Sequence, residues 1–339
     1  MGVLGVGHLG QHHARVYSEL PGVQLVAVVD RDLERAREVA GRHGVEALAD
    51  VSALKGRVDA VSVVTPTESH LEVARPLLRQ GVHCLVEKPL CTTVDEARSL
   101  CRAARESGRK LQVGHIERFN PAIRAIKPMV SDPRFISCDR VSPFSFRSAD
   151  IGVVLDLMIH DLDIVLHLCD EPVEHVEAMG VPVLVPAEDV AHARLRFRSG
   201  ATALLTASRV SIKTERKIRI FQYDSYISLD YGARSARIFR KRPGFEFGRA
   251  DLEAVDTTLP AETLFALVFS QYLEMEEVGM EGEPLKLELE SFVNAVREDL
   301  EPEVTGESGL RAIEVAGRIQ ETMAAYLERE REHLKRVSP

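Results

Sequence analysis

The chain has 339 residues, 45% hydrophobic and 28% charged, a globular composition with apolar material for about two cores. Lys and Arg number 43 against 52 Asp and Glu, so the net charge of −9 argues against bulk nucleic-acid or anionic-membrane binding while leaving room for a local basic pocket. Five cysteines without a CxxC pair speak against a disulfide framework or zinc ribbon and fit a cytoplasmic protein, and no apolar run reaches the ~18 residues of a membrane span.

The opening MGVLGVGHLG has no basic leader and reads as a strand, Val3–Val6, rather than a signal peptide. A helix is expected over Gly10–Leu20, stopped by Pro21 and Gly22. Leu25–Val29 is a continuous apolar run, as in a strand buried on both faces. Leu33–His43 has helical spacing and stops at Gly44. Strands at Ala60–Val64, Val82–Val86 and Lys110–Val113 alternate with helices at Leu71–Gln80 and Val94–Ser107. This pattern predicts an α/β fold with a doubly wound parallel sheet over residues 1–115. Residues 116–339 read differently. Ile151–Cys169 is a helix with an irregular start. Strands at Val173–Gly180, Ala191–Phe197, Ala201–Val210, Lys217–Phe221 and Tyr226–Leu229 follow without intervening helices, so their sheet is expected to be largely antiparallel. Ser199 and Gly200 mark a hairpin turn. Arg240–Phe269 resists assignment, and Leu285–Asp299 and Leu310–Glu330 are helical by period. The eleven acids of residues 271–303, against Lys286 and Arg297, read as a solvated face.

Gly5, Gly7 and Gly10 form a GxGxxG that leaves a strand and opens a helix, the context of a dinucleotide pyrophosphate loop; His8 and Leu9 complete it. Gly5 allows the tight turn, Gly7 close backbone approach, and Gly10 helix–strand packing. Asp30 ends the next strand twenty residues on, where an acid binds a ribose 2′-hydroxyl; this favours NAD over NADP. Arg31 is the counter-signal, since an arginine there can accept a 2′-phosphate. His8, His12 and His13 lack an acidic or thiol partner, so no metal is expected.

Glu87-Lys88-Pro89 follows a buried strand, and an Asp156–His160 pair sits four residues apart in an apolar helix, so that both are expected on one helix face. With the glycine loop, Asp30 and the stretch from Thr65 to His70, these residues resemble the Gfo/Idh/MocA family of NAD(P)-dependent sugar oxidoreductases. The resemblance implies a Rossmann domain followed by an α/β domain with an open mixed sheet that often mediates assembly, here a homodimer or homotetramer. It also implies that helices from about residue 285 return toward the first domain. Thr65, Pro66, His70, Glu87 and Lys88 would line the cofactor, and Lys88, Asp156 and His160 the reacting carbon. In alcohol oxidation a base takes the hydroxyl proton as hydride leaves. His160 is the favoured base, with Lys88 polarising the oxygen or acting as base itself if burial lowers its pKa. Asp156 would orient His160 or bind a neighbouring hydroxyl.

Substrate contacts are sought in Glu117 and Arg118 at the domain junction, and in Arg140 and Arg147. The alternative for Arg118 is an interdomain salt bridge. Arg209, Lys213, Arg216, Lys217 and Arg219, with Glu215 as the one acid, suit a diphosphate if they converge and a charged sheet edge if they do not. GVGHLGQHHARVYSEL, VGHIERFNPA and VVLDLMIHDLDIVLHL are most similar to the family branch acting on UDP-N-acetylhexosamines. That similarity implies C3 oxidation of UDP-N-acetylglucosamine, amination by a partner aminotransferase, and a place in lipid A biosynthesis. A dehydrogenase of free sugars or inositol-like polyols is the runner-up, and a non-catalytic NAD(H)-sensing regulator a third reading.

Overall fold

Short strands alternate with helices through the first 114 residues of the computed structural model, which describes residues 1–145, 151–231, 233, 235–242, 258–279 and 281–337. Strands β1 (Gly2–Leu4), β2 (Ala27–Val29), β3 (Glu46–Leu48), β4 (Ala60–Val63), β5 (His83–Glu87) and β6 (Leu111–Gly114) form one parallel sheet in the order β3-β2-β1-β4-β5-β6. Helices α1 (Gly10–Glu19), α2 (Leu33–His43), α3 (His70–Arg79) and α4 (Val94–Ser107) supply the crossovers. Asp32 caps α2 through the Arg35 N–H, and Thr93 and Glu96 form a reciprocal capping box on α4. Both helices end where Gly44 and Gly108 take left-handed φ of +64° and +63°. β3 escapes the periodicity reading because it is three residues long and only partly buried at the sheet edge.

Strand order reverses between β1 and β4, and that opens the crevice at the carboxyl ends of the strands. The glycine loop, Thr65, Lys88 and His115 leave β1, β4, β5 and β6 at that edge.

The second half opens with α5 (Pro121–Ile126) and β7 (Phe135–Val141). A π-helical turn, Val154–Met158, then runs into α6 (Ile159–Cys169), which is the irregular helix start expected from sequence. Strands β8 (Val173–Val181), β9 (Val190–Phe197), β10 (Thr202–Ser208), β11 (Glu215–Phe221), β12 (Ser225–Asp230), β13 (Ser235–Lys241) and β14 (Leu273–Gly279) complete an eight-stranded sheet, β14-β13-β12-β11-β7-β10-β9-β8. It is antiparallel except where β7 lies parallel to β10. β7 is hidden from a pattern search because Arg140 occupies an inward position that otherwise carries Ile136 and Cys138. The turn at Ser199-Gly200 forms as expected, with Gly200 at φ +88°. Part of the unassigned stretch becomes α7 (Ala261–Tyr272); residues 243–257 lie outside the described residues.

One core joins the inner face of this sheet to α6 and to α9 (Gly306–Val337), through Ile164, Val165, Ile218, Ile220 and Ile319. Two further cores cover the faces of the parallel sheet. Helix α8 (Pro284–Arg297) packs on α1, and α9 touches α4 and β6 as well as α6 and β8, so the chain's last helices bridge both sheets.

Candidate active site

The glycine loop is built for close approach. A Cβ on Gly5, at φ +80°, would lie 2.5 Å from the Val64 carbonyl oxygen, and one on Gly10 would lie 1.8 Å from the Gly5 oxygen. Gly7 differs, because its nearest neighbour would be the Arg35 guanidinium at 3.8 Å. Space left open there is what a phosphate needs. His8 and Leu9 are exposed, Leu9 by 52%, and among the described residues their N–H groups donate to no protein acceptor. Free N–H groups before an uncapped helix start attract anions. The loop therefore fits a dinucleotide pyrophosphate.

Asp30 stands at the end of β2 with one oxygen on the Val6 N–H (2.9 Å) and the other on the Asp32 N–H (2.9 Å). Its carboxylate thus ties the loop to the second strand and keeps further lone pairs for a hydroxyl. Arg31 is exposed beside it, and the Arg35 guanidinium lies 3.7 Å from Asp30.

Thr65 and Pro66 remain at the crevice surface, but His70 does not. Its ring is buried, with Nε2 2.8 Å from the Thr65 carbonyl and Nδ1 3.1 Å from that of Pro89. Burial lowers its pKa. His70 ties the two crevice loops together from behind and is a positioning residue. Glu87 also turns inward: one oxygen meets His13 Nε2 at 3.1 Å and the other accepts the Lys88 N–H. Burial opposes its charge, yet His13 and Lys88 hold its pKa below the ordinary value.

Lys88 donates from Nζ to the Asp156 carbonyl oxygen at 2.8 Å, with the Asp156 carboxylate at 3.9 Å. Burial pushes the Lys88 ammonium pKa down against the pull of Asp156 and Glu87. Among the described residues no hydrogen bond or ion pair joins Asp156 to His160, and the Asp156 carboxylate faces Lys88 instead. His160 Nδ1 is buried without a partner. Burial first, then the charges of Lys88, Arg140, His115 and Arg216, hold its pKa well below the ordinary value, so the ring is neutral near pH 7.

Glu117, Arg118 and Arg140 are engaged in internal ion pairs. Arg118 grips Asp163 through two bonds (2.7 and 2.8 Å), and Arg140 grips Asp161 (2.8 and 2.9 Å) and Glu117 (3.0 Å), all inside the protein. Fork-to-carboxylate geometry is as good for an internal acid as for a phosphate; Asp161, directly after His160, and Asp163, about one turn on, take the two forks. Arg118 thus sits in a salt bridge, but one within residues 116–339 rather than the interdomain one expected as the alternative. Arg147 lies outside the described residues.

Sequence reasoning missed Glu288. It is one of the eleven acids read as solvated, yet it is fully buried in α8 with both carboxyl oxygens unpartnered. Its position between Phe292 and Leu285 on the helical period was the available signal. Its backbone carbonyl accepts from Gln112 Nε2 at 3.2 Å. Burial, then the nearby Glu87 and Asp163, raise its pKa well above 4.5. A raised acid is protonated in the folded state, so its contribution to stability is complete below about pH 4.5 and is lost as pH rises toward the folded pKa. Glu288→Gln should therefore melt a few degrees higher than the native protein near pH 8 and equally near pH 4.5. Melting curves whose separation is independent of pH would refute a neutral Glu288.

Residues 1–115 match a family described as "Oxidoreductase family, NAD-binding Rossmann fold", and residues 123–224 match the "GFO/IDH/MocA C-terminal domain". The chain is 37% identical over 332 residues to the UDP-N-acetylglucosamine 3-dehydrogenase of Acidithiobacillus ferrooxidans, covering 97% of this chain and 98% of that one. A solved structure of that enzyme superposes with a TM-score of 0.84 at 36% identity, over 96% and 97% of the two chains. The inositol 2-dehydrogenase of Rhizobium meliloti is 25% identical over 332 residues, 93% of this chain and 94% of its own.

Proposed function

The chain belongs to the Gfo/Idh/MocA family of oxidoreductases, and from that premise we propose that it oxidises a UDP-N-acetylhexosamine, UDP-N-acetylglucosamine first, at C3 to the 3-keto sugar. The observation that carries the reading is 37% identity sustained over 97% of the chain to an enzyme of that name. The same sugar implies an aminotransferase acting next and a place in lipid A biosynthesis. Among the described residues no helix is long and apolar enough to cross a membrane.

Bound NAD supplies the hydride acceptor. Lys88, steadied by Asp156, donates a hydrogen bond to the substrate oxygen and holds the negative charge that gathers there. His160, neutral at working pH, takes the hydroxyl proton. Thr65 and Pro66 flank the nicotinamide end of the crevice. NAD is preferred to NADP because a 2′-phosphate would face the Asp30 carboxylate, whose charge repels it.

The second sheet supports a homo-oligomer. Its outer face carries a stack of Phe135, Phe221, Tyr226 and Phe239, with successive ring centroids 5.6, 4.7 and 5.5 Å apart. Met275 (59% exposed) and Leu204 (40%) extend that apolar surface. Sedimentation at micromolar concentration should give a dimer or tetramer, and the monomer mass alone would refute it.

The deciding assay follows nicotinamide absorbance with UDP-N-acetylglucosamine, NAD or NADP, and an aminotransferase with glutamate to remove the keto product. NADH formation that depends on the nucleotide sugar is expected. Reduction with a free polyol but not with the nucleotide sugar would replace this reading by the inositol-type one. Cofactor binding without turnover on any sugar would leave a regulator.

A further inference from the structure

The five bases of residues 209–219 do not converge. Arg209 is sealed inside on Asp189 at 2.7 Å. Lys217 and Arg219 alternate to the outer sheet face, where Glu215 (2.8 Å) and Asp139 (3.0 Å) pair them. Lys213 is exposed in the turn before β11. Arg216 is on the other face of β11, in line with the buried Ile218 and Ile220, at the strand's exposed beginning. Its register partner on β7 is Arg140, which binds Asp161, the neighbour of His160. Arg216 thus stands at the end of the sheet that meets the active-site helix. Among the described residues its guanidinium makes no hydrogen bond or ion pair.

Three bases and four acids otherwise pair around this site. Lys88 has Asp156, Arg118 has Asp163, and Arg140 has both Asp161 and Glu117. Arg216 adds a positive charge beside Arg140 without an acid of its own. Arg216 offsets the surplus acid of the Arg140 pair without bonding to it, so its own guanidinium donors stay open to an incoming anion.

We propose that Arg216 is the anchor for the anionic part of the substrate, a nucleoside diphosphate, and so sets which sugar carbon reaches Lys88 and His160. The assignment deepens the nucleotide-sugar reading and rests on it. A guanidinium fork matches phosphate oxygens in bidentate geometry, and at an exposed strand end it is free to turn toward them. The charge of Arg216 also reaches Lys88, His160 and Asp161. With Lys88, Arg140 and His115 it weakens His160 as a base; an anion seated on Arg216 cancels its share and makes the imidazole a better proton acceptor once substrate is bound.

The test titrates UDP alone into the full-length protein by calorimetry, beside steady-state kinetics with UDP-N-acetylglucosamine. Arg216→Ala should weaken UDP binding and raise KM for the nucleotide sugar by about 10- to 100-fold, with NAD affinity and melting temperature unchanged. Arg216→Lys should fall between, since it keeps the charge and loses the fork. Native UDP affinity in Arg216→Ala overturns the assignment and leaves the nucleotide-sugar reading standing. Native protein that binds no UDP overturns that reading, and the assignment with it.

Discussion

Replacing Lys88 by alanine is expected to lower kcat by about 10²- to 10⁴-fold while NAD still binds. Lys88 leaves β5 at the carboxyl edge of the parallel sheet, and its Nζ is fixed by the Asp156 carbonyl at 2.8 Å. That bond occupies one of three ammonium donors and leaves the others for a substrate oxygen. On the proposed reading the glycine loop and Asp30 would hold the NAD phosphates and ribose, and Lys88 bonds to neither among the described residues, so cofactor affinity serves as the control for correct folding. Lys88→Arg is not a rescue: the larger planar fork cannot occupy the same point, and it stays protonated near neutral pH and so cannot act as a base. His160→Ala should cost a similar factor, and the double variant little more, because residues acting on one proton transfer are not additive. Turnover left intact in Lys88→Ala would remove it from the mechanism. Additive losses in the double variant would mean that the two residues act on different steps.

Arg140→Ala should destabilise the fold by about 3–5 kcal/mol, read as a fall in the denaturant midpoint. The side chain is 4% exposed and serves two acids that are themselves buried, Asp161 at 2.8 Å and Glu117 at 3.0 Å. Removing it strands both carboxylates. Burial already holds the Asp161 pKa above its ordinary value despite Arg140, so losing the cation forces protonation or water entry. Arg219→Ala is the matched control. Its pair with Asp139, at 3.0 Å, has side chains 36% and 31% exposed, and such pairs contribute within about 1 kcal/mol. Replacing Arg140, Asp161 and Glu117 together by apolar residues should recover much of the loss, because no charge is then left unpaired. Equal losses for Arg140→Ala and Arg219→Ala would contradict this account.

Both results bear on how the site differs from its sequence outline. The arginines that drew attention as substrate ligands divide into structural and free ones by criteria invisible in the chain. Arg118 and Asp163 are 45 residues apart, Arg140 and Glu117 are 23 apart, and Arg209 and Asp189 are 20 apart. Each pairing depends on which strand lies beside which helix. Arg216 and Lys217 are adjacent in sequence but face opposite sides of the sheet, so one meets the active-site end and the other meets Glu215.

Features governed by short-range chemistry are legible along the chain. Glycine spacing, Asp30, helix caps and the alternation of apolar runs with helical periods specify the parallel sheet and its pyrophosphate loop, because each acts within a few residues of chain. The sequence also marked Lys88, Asp156 and His160 as polar residues that a folding core has no need of. The pairing of Asp156 with Lys88, the inward turn of His70 and Glu87, and the burial of Glu288 with its pKa raised depend on the packed fold. Those outcomes depend on desolvation and on charges brought together from distant strands, and neither exists until the two sheets and the returning helices α8 and α9 have packed.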